Sequence, residues 1–507
     1  MWPPTLDQIT FDLMCRDSRD YALSHGLVMR NDSEPNDNIV FQMPITLFPS
    51  PFPRRLYDCA RAIQPHVNTL MQRIATDLEF MRTSLEGVMK VDDFTRKIFE
   101  INETVEREGR AQPIIGCISR SDYMLHATKC EYDVDGQVPK CRIGLRQVEV
   151  NAIAASLASS SMNIAQMHQY LMRKYQLIDV PQLESRFPAN DGSRLVANGL
   201  IKAWDLYAKA SAIILVVTEN RSMNFSDQRI IEQLVHMQRP DIAMTRCRFT
   251  DLLDCISLGP NRELLFHKRT EVAVVYYRHC YDPSDYNFDG AWDMRLQLER
   301  SRAIKYPSSN FHLSGVKKFQ QILNDQMQLE RFLDADAALL LSRVFCRLWP
   351  LGFDDEGNAA YEMAMKHSKQ NLVLKPQREG GGHNIYGEAI KPFLHNIKQH
   401  ESRNQYILME YINSPTTNNW LLTYDNSPVL EQGDLMVAEL GIYGCVLTNG
   451  SSDSAELINE TGGYLVRSKR FGVNEGGVVG GYGGLSSLYL VDDELGDATL
   501  TDGYFSV

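Results

Sequence analysis

The stretch that decides the fold runs from Leu372 to Ile390, LVLKPQREGGGHNIYGEAI. Leu372, Val373 and Leu374 end a strand, Lys375 follows directly, and Glu379, Gly380, Gly381 and Gly382 open a loop with unusual backbone freedom. A lysine at the mouth of such a loop suits a phosphate cradle, the ammonium supplying charge and the glycine amides supplying donors. A surface hairpin is the plain alternative. The loop matches neither the Walker pattern nor the dinucleotide fingerprint, so the rest of the chain must decide.

The chain has 507 residues, 44% of them hydrophobic, which predicts two or three globular domains. Its net charge of −12 argues against nucleic acid or anionic lipid as partner and favours a small substrate. The longest apolar run, Ala212 to Val217, is far too short to span a bilayer. The opening MWPPTLDQIT has neither a basic start nor an apolar signal core, so the expected compartment is the cytoplasm. Secretion with a leader outside this sequence is the alternative. Ten scattered cysteines, with no zinc-like C-x-x-C pair, fit a reducing compartment. Cys130 and Cys141 face each other across an Asp135-Gly136 hairpin turn, as a hydrogen-bonded pair whose width is uncomfortable for a disulfide. A bridge and two free thiols both remain open.

Helical periodicity runs through Leu56, Ala60, Ile63, Val67, Leu70, Ile74, Leu78, Met81 and Leu85, with Asp92 as the N-cap of a further helix through Phe99. These are core helices. Short strands follow at PIIGCIS and RQVEVNAIAAS, then a β-α-β rhythm from SAIILVVTEN through SDQRIIEQLVHMQ to EVAVVYYRHCY, and a strand-rich end closing on EGGVVGGYGG.

In RQVEVN the period of two puts Gln147, Glu149 and Asn151 on one strand face and Val148 and Val150 on the other. Neighbouring oxygen ligands suit a hard cation such as Mg²⁺. Glu379 beside the glycines and Glu439 after an apolar run add carboxylates, and Lys317, Lys375, Arg467 and Lys469 add cations. Together they describe a site for a metal–nucleotide complex and an anionic substrate.

In order, SRSDYM (Ser119–Met124), QVEVNAIAAS, DQR (Asp227–Arg229), VVYYR, LERS, GVKKFQQ, LVLKPQREGGGHNIYGE, YILMEYI, ELGIYG, YLVRSK and EGGVV closely resemble the motifs of eukaryotic glutathione synthetases over nearly the whole chain. The resemblance implies an α/β (α+β) ATP-grasp fold with an inserted substrate domain and glycine-rich lids. Residues 1–210 would hold the N-terminal helices and the first part of the core, 211–312 the insert, and 313–507 the rest of the core and the lid. It implies a homodimeric ligase that joins γ-glutamylcysteine to glycine, using ATP and Mg²⁺. By resemblance, Lys317 and Lys375 hold phosphates, Glu149, Asn151 and Glu379 bind Mg²⁺, and Met409, Glu410, Tyr411 and Ile412 line the adenine pocket. Gln377, Gly380, Gly381, Gly382, His383, Asn384, Tyr386, Glu439, Lys469 and Glu475 complete the nucleotide set, Glu475 being an Asp-to-Glu change. Arg120 and Arg467 bind the substrate and stabilise charge at its carboxyl group.

The departures from the family lie on the substrate side. Its usual Glu-Arg-Asn ahead of Asp-Gln-Arg is here Ser222, Met223 and Asn224, before Gln228, and its Arg-Asp-Gly-Tyr keeps only the ends, Arg278 and Tyr281. The first substrate loop reads Ala152, Ile153, Ala154, Ala155 and Ser156, and the lid ends in Val478 and Val479, where smaller residues are usual. An ammonium-carboxylate ligand loses ionic partners at Ser222 and Met223. Two readings follow: a ligase of altered specificity, and a catalytically impaired copy acting as a ligand-binding or secreted effector-like protein.

Overall fold

The computed structural model describes residues 2–128, 142–377, 383–398, 400–424, 433–450, 456–474, 476–478 and 480–492. The expected hairpin, with Cys130, Cys141 and Asp135-Gly136, lies outside them. No helix of the described residues is long and apolar enough to cross a membrane.

Among the described residues the largest sheet has eight strands. Its centre is antiparallel: Arg142–Asn151, Ile115–Thr128, Asp434–Thr448, Glu456–Arg470 and Gly483–Ser486 lie side by side. The helix Arg54–Thr76 packs on it through the expected stripe of Leu56, Ala60, Ile63, Val67, Leu70 and Ile74. Helices Leu78–Met89 and Asp93–Arg107 follow, and the Asp92 carboxylate accepts from Thr95 N at 3.1 Å as the predicted cap.

A second sheet orders Leu348–Pro350, Tyr406–Glu410, Leu372–Pro376 and Ile385–Tyr386, all antiparallel. Alternation divides its faces. Leu372, Leu374 and Leu408 turn into a core with Leu351, Ala360, Ala364 and Leu394 beneath helices Asp355–Asn371 and Ile390–Asn396. Val373, Lys375 and Met409 turn the other way, toward the eight-stranded sheet. A third, six-stranded sheet is parallel where Met244–Arg248, Ile213–Thr218, Thr270–Tyr277 and Ile304–Tyr306 meet. Its Ile213–Thr218 strand is buried throughout, as strands covered on both faces are.

Three readings need correction. The strands read as short, PIIGCIS and RQVEVNAIAAS, are 14 and 10 residues long, because Ser119, Arg120, Ser121 and Asp122 continue the first one through the interior. The β-α-β rhythm contains three extra strands, Met244–Arg248, Ile256–Leu258 and Leu264–Phe266, between the helix and Thr270–Tyr277. The alternation in RQVEVN breaks at a bulge, where Asp122 pairs with Glu149 but the next residue, Tyr123, pairs with Gln147. Val148 therefore faces the same cleft as Glu149 and Asn151, while Gln147 donates to Tyr123 OH at 3.4 Å.

Two predictions follow from this packing. Gly441 pairs with Asp122, and a Cβ there would lie 2.6 Å from Arg120 Cδ and 2.7 Å from Asp122 Oδ1. Gly441→Ala should cost about 1–3 kcal/mol, seen as a lower thermal midpoint, while Gly477→Ala, with nothing within 4 Å, leaves it unchanged. The fully buried His168 donates Nε2–H to Thr46 O at 2.9 Å and accepts at Nδ1 from Ser487 Oγ at 2.8 Å, and burial lowers its pKa to about 4. The neutral form is the folded form, so its contribution is complete above the ordinary 6.5 and is lost as pH falls toward 4, by about 3 kcal/mol. His168→Gln should reduce the fall in thermal midpoint between pH 7 and pH 4; an unchanged slope would assign that fall elsewhere.

Candidate functional site

The four-stranded and eight-stranded sheets face each other across a cleft of about 450 Å³. One end is apolar: Val373, Met409 and Ile412 meet Val148 and Met124, with Cys346 and Leu348 packed behind. The other end is charged, because strand alternation aims Lys375 inward from one sheet and Glu149, Glu439, Arg467 and Lys469 inward from the other. Lys317, at the start of the helix Lys317–Ile322, reaches the same place. Such a cleft takes an elongated ligand with a flat apolar end and an anionic end.

The charges hold one another. Lys317 Nζ lies 3.3 Å from Glu149 Oε2, and Lys375 Nζ donates to Val148 O at 3.3 Å. Burial raises the Glu149 pKa, but Lys317, Lys375 and Arg467 outweigh it and hold the carboxyl down at about 2. Burial lowers the pKa of Lys375, with Glu149 opposing it and Lys317 adding to it. An extra anion near Lys317 and Lys375 relieves that mutual repulsion.

Beneath the cleft floor lies Asp122, 1% exposed. Arg120 grips it with Nε to Oδ1 at 2.6 Å and NH2 to Oδ2 at 2.8 Å. Arg467 NH2 donates to Asp122 Oδ2 at 3.1 Å and also bonds Glu439, and Asn151 Nδ2 donates to Asp122 Oδ2 at 2.9 Å. That last contact fixes the Asn151 amide with its nitrogen engaged. Sequence reasoning did not single out Asp122, although the Arg-x-Asp spacing in SRSDYM puts both residues on one strand face. It also missed Phe471 and Tyr482, exposed aromatics at the cleft.

Of the predicted nucleotide residues, Glu149, Asn151, Lys317, Lys375, Asn384 and Tyr386 line the cleft, as do Met409, Glu410, Tyr411, Ile412, Glu439 and Lys469. Tyr386 OH and Lys469 Nζ both donate to Asn474 O, at 3.2 and 2.6 Å. Gln377 is buried behind the cleft, where its carbonyl accepts from Lys317 N at 3.1 Å, and His383 is exposed. Glu379, Gly380, Gly381, Gly382, Glu475 and Val479 lie outside the described residues.

The predicted substrate residues divide. Arg467 lines the cleft, whereas Arg120 uses its nitrogens on Asp122 and on Ser156 O, the latter at 3.3 Å. The loop turns through left-handed φ at Ala154 (50°) and Leu157 (71°), Ile153 packs into the core, and Arg278 NH1 donates to Ala155 O at 2.7 Å. Val478 is buried in the core, and Tyr281 stands apart against a small cavity with Phe94 and His312. Ser222 opens on a separate cleft of about 240 Å³ that Met223 does not line. Gln228 Nε2 donates to Asn224 Oδ1 at 2.9 Å.

Comparison with known proteins agrees along nearly the whole chain. The family model of the eukaryotic glutathione synthase ATP-binding domain matches residues 9–490. Glutathione synthetase of Mus musculus is 34% identical over 488 residues, covering 96% of this chain and 98% of its own. Glutathione synthetase large chain of Schizosaccharomyces pombe is 33% identical over 499 residues, covering 93% and 96%. Among solved structures, a glutathione synthetase-like effector from Globodera pallida in its apo form superposes with a TM-score of 0.73 at 24% identity, over 96% of this chain and 98% of that one. The mixed α/β architecture with its facing sheets has the form of an ATP-grasp fold. With a cleft built from its most distinctive segments and a match that leaves out only its ends, the chain belongs to the eukaryotic glutathione synthase family.

Proposed function

We propose that the chain is an ATP- and Mg²⁺-dependent carbon–nitrogen ligase of the glutathione synthase type. It would act on γ-glutamylcysteine or a close analogue, with glycine or another amine as acceptor. The observation that carries this reading is Glu149, held ionised by Lys317 and Lys375 at the charged end of a cleft whose other end is apolar. The apolar end suits a nucleobase and the charged end its phosphates.

The residues fit a hard cation. Glu149 offers a carboxylate, and the amide nitrogen of Asn151, engaged by Asp122, leaves its carbonyl oxygen as the ligand atom. Glu379 is the third ligand of this proposal. Mg²⁺, when bound, neutralises charge on the transferring phosphoryl group. Lys317 and Lys375 hold the phosphates against it. Arg467, kept charged because Glu439 and Asp122 outweigh its burial, orients the donor carboxylate. That carboxylate takes the γ-phosphoryl group from ATP, giving ADP and an acyl phosphate, and attack by the amine then forms the amide and releases phosphate. Water competes with the amine, and the glycine-rich segments, including Gly476, Gly477 and Gly480 at the cleft wall, are assigned to exclude it. Arg120 positions Asp122 rather than touching the substrate. Residues 211–312 are proposed as the substrate module, in a cytoplasmic homodimer.

The changed surroundings of Ser222 favour a second reading, in which the chain binds ligands without turning them over. Measuring ADP release with γ-glutamylcysteine and a panel of amines separates the two: release above the amine-free rate supports the ligase, and its absence with every amine supports the other.

Calorimetry should detect Mg-ADP binding, and a flat titration in millimolar Mg²⁺ would overturn the nucleotide assignment. Lys375→Met removes a charge-assisted contact in a confined site and should weaken Mg-ADP by about 10-fold or more. Unchanged affinity would move the phosphates elsewhere.

A further inference from the structure

We infer that His126 is a positioning residue for the apolar end of the cleft: in its neutral form it holds in place residues 411–414, the crossing between the two facing sheets. The inference rests on the nucleotide-dependent ligase reading and deepens it, by naming a residue that does not itself line the cleft yet sets the affinity for the nucleotide.

Strand Tyr406–Glu410 belongs to the four-stranded sheet, and by Thr417–Asn419 the chain is already paired with Asp434–Thr448 in the eight-stranded one. Residues 411–414 make that crossing, and Tyr411, Ile412, Asn413 and Ser414 all line the cleft. Whatever fixes the crossing therefore fixes one wall of the apolar end. Hydrogen bonds clip it to the strand Ile115–Thr128. Ala127 N donates to Asn413 O at 2.8 Å, Asn413 Nδ2 to Ala127 O at 3.3 Å and Ser414 Oγ to Leu125 O at 2.8 Å. Between them Asn413 N donates to His126 Nδ1 at 3.1 Å.

Of these acceptors only His126 titrates. A backbone N–H can donate to Nδ1 only while that nitrogen carries no proton, so the ring is the neutral Nε2–H tautomer. Alternation along Ile115–Thr128 puts His126 on the same face as Met124, a residue of the cleft wall. The charged groups that face the ring are Arg146, from the neighbouring strand Arg142–Asn151, and Glu410, from the end of Tyr406–Glu410. Burial lowers its pKa, Arg146 adds to that, and Glu410 opposes it. Protonation turns Nδ1 from acceptor into donor and leaves the Asn413 N–H facing another N–H. The bond is therefore complete above the ordinary 6.5 and is lost as pH falls below it.

The test titrates Mg-ADP into the intact chain, His126→Asn and His126→Leu, at pH 7.5 and at pH 5. The amide oxygen of Asn lies about where Nδ1 does and stays an acceptor at both pH values, whereas Leu offers none. At pH 7.5 His126→Leu should bind Mg-ADP about 3-fold or more weakly, with His126→Asn staying within about 2-fold of the parent. At pH 5 the parent should bind about 3-fold or more weakly than His126→Asn. Comparing the two at each pH cancels the titration of the nucleotide's own phosphates. A role in packing alone would weaken both variants together and keep the ratio of parent to His126→Asn constant with pH, and either result would overturn the inference. Hydrogen exchange at the Asn413 amide reads the same bond without nucleotide. Its protection, corrected for the intrinsic rate at each pH, should fall at pH 5 in the parent and hold in His126→Asn; equal protection in the two would also count against His126. Absence of Mg-ADP binding to the parent at pH 7.5 is the separate failure of the ligase reading, and the exchange measurement then decides the role of His126 by itself.

Discussion

Asp122 sits at the centre of the eight-stranded sheet with its carboxylate out of solvent, and the site around it is arranged to meet that one group. It pairs in register with Glu149 on one neighbouring strand and Gly441 on the other, while Arg467 reaches it from one strand further on. Losing one partner of such a buried cluster costs about 3–5 kcal/mol, because the remaining charge stays buried and uncompensated. A slip of the Ile115–Thr128 strand by one residue would turn Arg120 and Asp122 to the other face, away from Glu439 and Arg467 on the neighbouring strands. The same contacts that fix the register therefore fix where Glu149, Asn151 and Arg467 enter the cleft.

The cleft's other wall obeys a simpler rule. An apolar strand whose alternate residues are Leu372 and Leu374 on one side and Val373 and Lys375 on the other must bury the first pair under helices and present the second to the facing sheet. That much was legible in the sequence, and so were the core helices, the Asp92 cap and most of the residues that line the cleft, because each rests on local periodicity or on a long specific motif. The lysine ends an apolar run for a physical reason: it is the charged member of the cleft face.

What the sequence did not yield depends on contacts far apart in the chain. Asp122 reads as one polar residue in a strand until Arg467, 345 residues later, closes on it. The bulge at Val148 cannot be seen from a repeating pattern, because it is set by pairing with Tyr123 and Asp122. Met244–Arg248 is only partly buried at the sheet edge and lacks the apolar run that announces its neighbours. Helix Ala158–Lys174 has no capping side chain of its own at Leu157. Its cap comes from Asp227, whose carboxylate accepts from Leu157 N, Ser159 N and Ser160 N at 2.9, 2.8 and 3.1 Å.

That distant cap also bears on how two separate clefts of one chain can differ in how freely they change. Asp227 is tied to the start of a core helix, and the backbone that carries Gln228 is therefore held by the fold, independent of any ligand. In the cleft between the sheets Glu149, Lys317, Arg467 and Asp122 share partners, so one substitution disturbs all of them. At the second cleft Ser222 and Arg246 meet through side chains at its wall, and exchanging them alters the charge there without leaving a buried ion in the central sheet. A chain built in this way can change the charge it presents at that surface cleft without disturbing the buried cluster that holds Glu149 and Arg467 in place.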